Sequence, residues 1–511
     1  MQVSDRRAFL GGLGGVFAFG LGGLAEGRTR WLLPSRLGES QPLDLGRFEA
    51  LAALLQESEP DALQAALIER LRAGLALEDL VAATALANAR SFGGHDYDGY
   101  HVFMALMPAY AMSRELRGEQ RWLPVLKVVH RNARRIQATG GRDDALAAVE
   151  PPRGLDPAGA RAELWERYTA RDVRGAERVL ARATTAQESL EDVRSILLEN
   201  LDVHRVVLAW RSWDALQLTG EAFASTLMRQ PLRFCIDGVE RRGARDRAEP
   251  ELRSLLPALI EEHGLARARR GTRRASEDEL AELADVVFAA ERADAARAAA
   301  AALGSGLSHE DVGEALSIAA NRLLLHDPGR ERPEGEGKPV GSVHGASVGL
   351  HASDAARAWR NLASVSDAAD SAAMLIAGAH HTAGQSSHVG EAPYPYAQHG
   401  DELARLERSE LLSTLSEAVA ARDQERAGAA AAAWMELHDD PEPLFAALLS
   451  TALEADGALH AEKYYRTVRE DAADARAHQR ALHLVALARV SASEAGFEAP
   501  GLAQARELLQ G

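Results

Sequence analysis

Residues 51–71 read LAALLQESEPDALQAALIERL. Leu51, Leu54 and Leu55, and then Leu63, Leu67 and Leu71, recur at spacings of three and four. With 3.6 residues to a turn, that period lines up one apolar stripe on a helix. The same spacing returns at Leu80, Thr84 and Ala87, at Val193, Leu197 and Leu201, and at Leu482, Val485 and Ala486. Alanine is abundant and β-branched runs are few, which favours helix. No segment alternates as a half-buried strand does, and no Asn-Gly pair joins two alternating segments. The expected fold is all-α, an array of antiparallel helices.

Breaks fall at 139–141, at 151–154, at 327–341 and at 384–400. The third is rich in Gly, Pro and charge and reads as a solvated loop. The fourth mixes Ser, His, Tyr and Pro, and long loops of that kind inside helical proteins carry function. The chain divides into an N-terminal helical half at 42–290 and a C-terminal helical half at 291–511, with a His-rich loop at 376–400. An internal pseudo-repeat is expected on three observations. Gly74-Leu75 followed by Glu78-Asp79-Leu80 returns as Gly306-Leu307 followed by Glu310-Asp311-Val312. Arg90 matches Arg322, and each helix leads through a loop to a histidine, His101 or His344, with Arg114 or Arg357 thirteen residues on. Glu191-Asp192-Val193 with His204 is a fainter third copy.

At the N-terminus, Ser4-Asp5-Arg6-Arg7-Ala8-Phe9-Leu10 precedes a Gly-rich apolar run from Gly11 to Ala25. That run is too short and too Gly-rich to span a bilayer, which takes about 20 apolar residues. It reads as a twin-arginine signal peptide over 1–25 and places the mature chain in the periplasm or cell envelope. No later segment is a stable membrane span. The 511 residues carry 58 basic and 75 acidic side chains, a net charge of −17, which repels a phosphate backbone and argues against nucleic acid as a partner. One cysteine, Cys235, excludes an intrachain disulfide and a Cys-based metal cluster. It lies in the run LRFCI (232–236) and reads as a small buried hydrophobe.

The chemistry-bearing residues are the seventeen histidines. His95, Asp96 and Asp98 with His101 could offer N and O ligands, or could be a surface turn with an Asp cap. His344 and His351 share a helix face about 10.5 Å apart along the axis, so both could line one pocket without sharing one metal. His380 and His381 point about 100° apart, so one of them can face a site. Tyr394 and Tyr396 sit with His388 and His399 in the long loop. No triplet has an established metal-ligand spacing. Gly345-Ala346-Ser347-Val348-Gly349 matches the Gly-x-Ser-x-Gly elbow, but that elbow needs a strand before it and none is visible.

The phrases YHVFMAL (100–106), WLP (122–124), VVLAWRS (206–212) and VHGA (343–346) resemble a family of twin-arginine-exported proteins of planctomycete-type bacteria, over about residues 75–381. No function follows from that resemblance. More distantly, the helix–loop–His units with a Val-His-Gly-Ala step resemble the questin oxidase-like proteins. That resemblance implies an all-α fold and Baeyer–Villiger-type oxidation of aromatic polyketides, and it would carry over to His101, His204 and His344. Two readings result. In one, a small molecule binds in a cavity lined by histidines and is oxidised there. His101 and His344 are then acid/base groups or metal ligands, Arg114 and Arg357 orient the substrate, and His204, His351, His380 and Tyr394 line the site. The cofactor is left unknown. In the other, the chain is a non-catalytic helical-repeat scaffold for an envelope partner. The first reading expects His101 and His344 to share one interior site.

Overall fold

The computed structural model describes residues 43–92, 96–139, 145–242, 250–335, 337–345, 347–386, 389–394, 396–455 and 459–510. The stretch at 1–25 that reads as an export signal, and His95 and His388, lie outside them. In chain order the helices are α1 (Glu49–Glu57), α2 (Pro60–Arg72), α3 (Leu77–Phe92), α4 (Tyr97–Ser113), α5 (Leu123–Thr139), α6 (Pro157–Thr169), α7 (Val173–Leu180), α8 (Ala186–Leu197), α9 (Val203–Asp214), α10 (Leu216–Thr219), α11 (Ala224–Arg242) and α12 (Pro250–Glu262). They continue as α13 (Glu277–Ala289), α14 (Arg292–Gly304), α15 (His309–His326), α16 (Val348–Val365), α17 (Ala368–Ala383), α18 (Gly400–Leu403), α19 (Arg408–Ala420), α20 (Gln424–His438), α21 (Glu442–Glu454), α22 (His460–Asp474), α23 (Ala477–Glu494) and α24 (Leu502–Gln510). Among the described residues there is no strand, only isolated bridges such as Gly271 to Ser308. The all-α expectation holds. The His-rich stretch at 376–400 is helix over its first third, because α17 runs to Ala383.

Local chemistry sets the helix starts. Asp96 caps α4, its carboxylate accepting the Gly99 N–H at 2.7 Å, and it also pairs with Arg135 of α5. The cap reading of that acidic turn is therefore the one realised. Asp202 caps α9, accepting from the N–H groups of His204 and Arg205. Ser347 caps α16 through the Leu350 N–H. A side-chain cap of this kind is worth about 1 kcal/mol.

Burial sets the packing. Helices α4 and α16 are buried on nearly every side, as helices at the centre of a bundle must be. They form a ring of contacts with α9 and α22: α4 packs on α9, α9 on α16, α16 on α22, and α22 back on α4. The other helices wrap this ring. Helix α12 packs on α14 and α17, while α24 packs on α2 and α5. Helix α12, at the middle of the chain, thus packs on the C-terminal half, and α24, at its end, packs on the N-terminal half. No described helix is long and apolar enough to cross a membrane.

The break at 327–341 is mostly exposed or half-buried, as a solvated loop is, but the connection runs on to 347 and turns inward. Its tip at 331–335 is exposed, but Ser342, Val343, His344 and Ser347 are buried. Ser347 Oγ donates to the Asp327 carboxylate at 2.6 Å, and the Val343 N–H donates to Ser493 Oγ on α23.

Candidate functional site

Each helix of the central ring delivers one histidine from its N-terminal end. His101 is the fifth residue of α4, His204 the second of α9, His351 the fourth of α16 and His460 the first of α22. Their rings close a four-membered circuit. Ring centres stand 5.0 Å apart for His101 and His204, 5.6 Å for His204 and His351, 5.0 Å for His351 and His460, and 5.4 Å for His460 and His101. Lys463, one turn after His460 on the same face of α22, lies in the same place with 2% of its surface exposed. Tyr97 covers the circuit, its ring 4.2 Å from His101 and 6.1 Å from His204. Tyr97 is 55% exposed and His204 only partly buried, so solvent reaches the circuit from this side. Tyr100 and Phe234 complete an aromatic wall beside His204.

The hydrogen bonds fix the ring tautomers. His101 Nδ1 lies 2.8 Å from the Tyr97 carbonyl, and His351 Nδ1 lies 2.8 Å from the Ser347 carbonyl. A carbonyl only accepts, so each Nδ1 carries the proton and each Nε2 keeps its lone pair. His204 Nδ1 stands 3.3 Å from the Asp202 carboxylate. The Nε2 atoms of His101 and His204 are buried with no hydrogen-bond partner. Holding Nδ1 and leaving Nε2 open is how proteins orient imidazoles toward a metal.

Burial keeps the His101 and His351 rings neutral. Burial holds His101 well below the ordinary histidine pKa, with Lys463 and His204 adding to the effect. Burial, then His204, pushes His351 down to about 3. The positive ends of four helices point the same way, since they disfavour an imidazolium. Lys463 is itself pushed down to about 8 by burial, despite the opposing pull of Asp354. Asp354 is raised by burial, and its Oδ1 accepts from Thr467 at 2.9 Å. Behind this group Lys127 of α5 forms a buried ion pair with Glu462 at 2.5 Å and donates to three carbonyls at the end of α21, which pins α22 in place.

As the rings stand, no group of three or more His, Cys, Asp or Glu among the described residues is set to hold a metal ion. An imidazole nitrogen 2.0–2.2 Å from a first-row metal puts its ring centre about 3.2 Å from the ion, so two rings at the tetrahedral angle stand about 5.2 Å apart. The four neighbouring ring pairs stand 5.0–5.6 Å apart, close to that value.

Of the residues singled out in the sequence, His101, His204 and His351 come together, and the others do not. His344 is a correction to the expected pair. It is buried, but its Nδ1 meets Ser493 Oγ at 2.7 Å and its ring stacks 6.5 Å from Phe497, apart from the circuit. The place opposite His101 is taken by His351, one turn into α16. Arg114 is exposed at the end of α4, about 20 Å along the axis from His101, too far to orient anything there. Arg357 is spent on Glu470, Asp471 and Asp474. His380 is fully buried 3.7 Å from the Glu251 carboxylate, and Tyr394 lies under the Arg489 guanidinium at 3.8 Å. His460 and Lys463 were missed. A signal existed: the tripeptide Ala170-Arg171-Asp172 returns as Ala421-Arg422-Asp423, and counting on from His204 by a similar interval reaches the start of α22.

Comparison with family models, curated proteins and solved structures gives no match, so the site is read from its own chemistry.

Proposed function

We propose that the circuit of His101, His204, His351 and His460 is a mononuclear first-row metal centre at which a small organic molecule is oxidised. The observation that carries the reading is the circuit of four imidazoles whose neighbouring rings stand 5.0–5.6 Å apart, with the Nε2 atoms of His101 and His204 buried and unbonded. Neutral imidazole ligands suit iron, copper, zinc or nickel. A bound metal would supply redox or Lewis-acid chemistry. The protein's own groups do the rest. Tyr97, Tyr100 and Phe234 offer flat faces against which a substrate ring can lie. Lys463, with its pKa near 8, can hold or give up a proton close to neutral pH beside the bound molecule. The resemblance to the questin oxidase-like proteins points in the same direction.

The reading includes two related halves. Helices α6 and α19 have thirteen residues each and are followed by left-handed Arg171 and Arg422, then by the caps Asp172 and Asp423. The crossed packing of α12 and α24 is reciprocal. Under this pairing His101 corresponds to His351 and His204 to His460. The ring spacings then fall into equivalent pairs, 5.0 with 5.0 Å and 5.4 with 5.6 Å. The metal would sit on the pseudo-twofold axis, where each half alone offers two ligands. Export by the twin-arginine route carries folded protein and would let the centre be filled before it leaves the cytoplasm.

Oxygen uptake tests the function. Metal-loaded protein given a panel of polyhydroxylated aromatic compounds is expected to consume dioxygen with at least one of them. Metal binding without turnover across such a panel, together with capture of an envelope protein, would favour the scaffold reading instead.

A further inference from the structure

His101 is the best hidden of the sequence-visible histidines in the circuit. His204 and His351 each keep some exposed surface, while His101 is 3% exposed and its Nε2 is buried without a hydrogen-bond partner. A ligand that needs all four rings has to reach this nitrogen, so whatever lies over His101 decides entry.

Three rings besides that of His204 pack on His101: Tyr97 at 4.2 Å, Tyr100 at 4.8 Å and His460 at 5.4 Å. Two of them are fixed. Tyr100 is buried and wedged between His204 and Phe234, and His460 is buried at the start of α22. Moving either would part packed helices, which a close-packed interior resists. Tyr97 differs on each count. It is 55% exposed, it is the first residue of α4, and its hydroxyl makes no hydrogen bond among the described residues. Burial, then the nearby carboxylates of Asp98 and Asp202, raises its pKa and keeps the phenol neutral. Its side chain is held by ring contacts alone, with His101, Tyr100 and His204. Its backbone is held better, because its carbonyl accepts from His101 Nδ1 at 2.8 Å. Turning about the Cα–Cβ bond therefore moves the ring into water, breaks no hydrogen bond and leaves the His101 tautomer as it is. Exposed side chains make such turns in picoseconds to nanoseconds.

We propose that the Tyr97 side chain is a swinging cover past which metal and substrate reach His101. The inference rests on the reading of the circuit as a site filled from solvent. Closed, the ring stacks on His101 and Tyr100. Open, it leaves a place of the same shape, which a flat substrate ring can take.

Diethyl pyrocarbonate, which acylates the free nitrogen of neutral imidazoles, tests the cover on the metal-free full chain, with peptide mass spectrometry reading each histidine by itself. In the wild type His101 is expected to react more slowly than His478 at the surface but faster than His483, which is fully buried in α23. Tyr97→Ala is expected to raise the His101 rate about tenfold, the factor that loss of one ring stack corresponds to, and to leave His483 unchanged. Tyr97→Phe keeps the ring and should match the wild type. In stopped flow, nickel(II) uptake should quicken in Tyr97→Ala by a similar factor. A chain that takes up no metal while the modification pattern holds keeps the cover and removes the metal reading. His101 as inert as His483 in the wild type, a His101 rate that Tyr97→Ala leaves unchanged, or one that rises together with that of His483 would overturn the cover.

Discussion

Replacing His351 with alanine is expected to remove most of the stabilisation that a first-row metal gives the protein. A metal that binds only the folded chain stabilises it by about 4 kcal/mol at a thousandfold excess over Kd. Removing one of four ligands is expected to weaken the metal by at least about 100-fold, or about 2.7 kcal/mol. The metal-free variant should lose little, because His351 is only partly buried and its Nδ1 bonds to a backbone carbonyl already used by the helix. The measurement is the shift in unfolding midpoint on adding metal, in the wild type and in the variant. His344→Ala is the control, since its ring lies outside the circuit, and it should keep the metal-dependent shift. Loss of the shift in His344→Ala with retention in His351→Ala would reverse the assignment.

Lys463→Met is expected to make the metal-free protein more stable at pH 7 while removing turnover. Burial lowers the folded-state pKa of Lys463 from the ordinary 10.5 to about 8. Below pH 8 both the folded and the unfolded chain carry the proton, and the folded state bears the full cost of a buried charge. Between pH 8 and 10.5 the unfolded chain binds more protons than the folded one, so wild-type stability rises with pH. The change corresponds to about 3 kcal/mol. A methionine of similar length should recover that amount at pH 7, and its advantage should close as the pH approaches 10.5. Denaturant midpoints at pH 7 and pH 10 check the sign. A variant less stable than the wild type at pH 7, with no pH dependence to the difference, would mean that Lys463 is held by its partners rather than penalised by burial. Loss of stability in exchange for a poised amine is common where a site needs unusual chemistry.

The helices were legible because their cause is local. Leu63, Leu67 and Leu71 mark the buried stripe of α2 in the sequence and occupy it in the fold. The fold also placed His101, His204 and His351 among the candidates, because a histidine near a helix start is visible in one dimension. Their partners were not. His344 was paired with His101 by counting from the matched starts of α3 and α15. That count fails because α3 reaches α4 after 93–96, while α15 reaches α16 only after 327–347. In the proposed pairing of the halves, equivalence follows position on the helix, the fifth residue of α4 against the fourth of α16, and the longer connection hides it. His460 and Lys463 had no signature of their own. They matter because α22 packs on both α4 and α16, and contacts between residues 359 and 109 positions apart, as His460 is from His101 and His351, leave no local pattern. Arg114 and Arg357 looked like substrate clamps at a shared offset, whereas one ends a helix in solvent and the other is neutralised by three carboxylates.

The central claim is that four histidines from two related halves hold one metal. Elemental analysis of the full chain purified without chelators, followed by X-ray absorption at the edge of the metal found, tests it most directly. The account predicts one equivalent of a first-row metal with imidazole nitrogens at about 2.0–2.2 Å. It also predicts that the equivalent falls to near zero in His101→Ala and His351→Ala alike, because the two occupy matching places. A chain that refuses iron, copper, zinc and nickel under reducing and oxidising conditions, or that binds one without imidazole in its coordination, would contradict it.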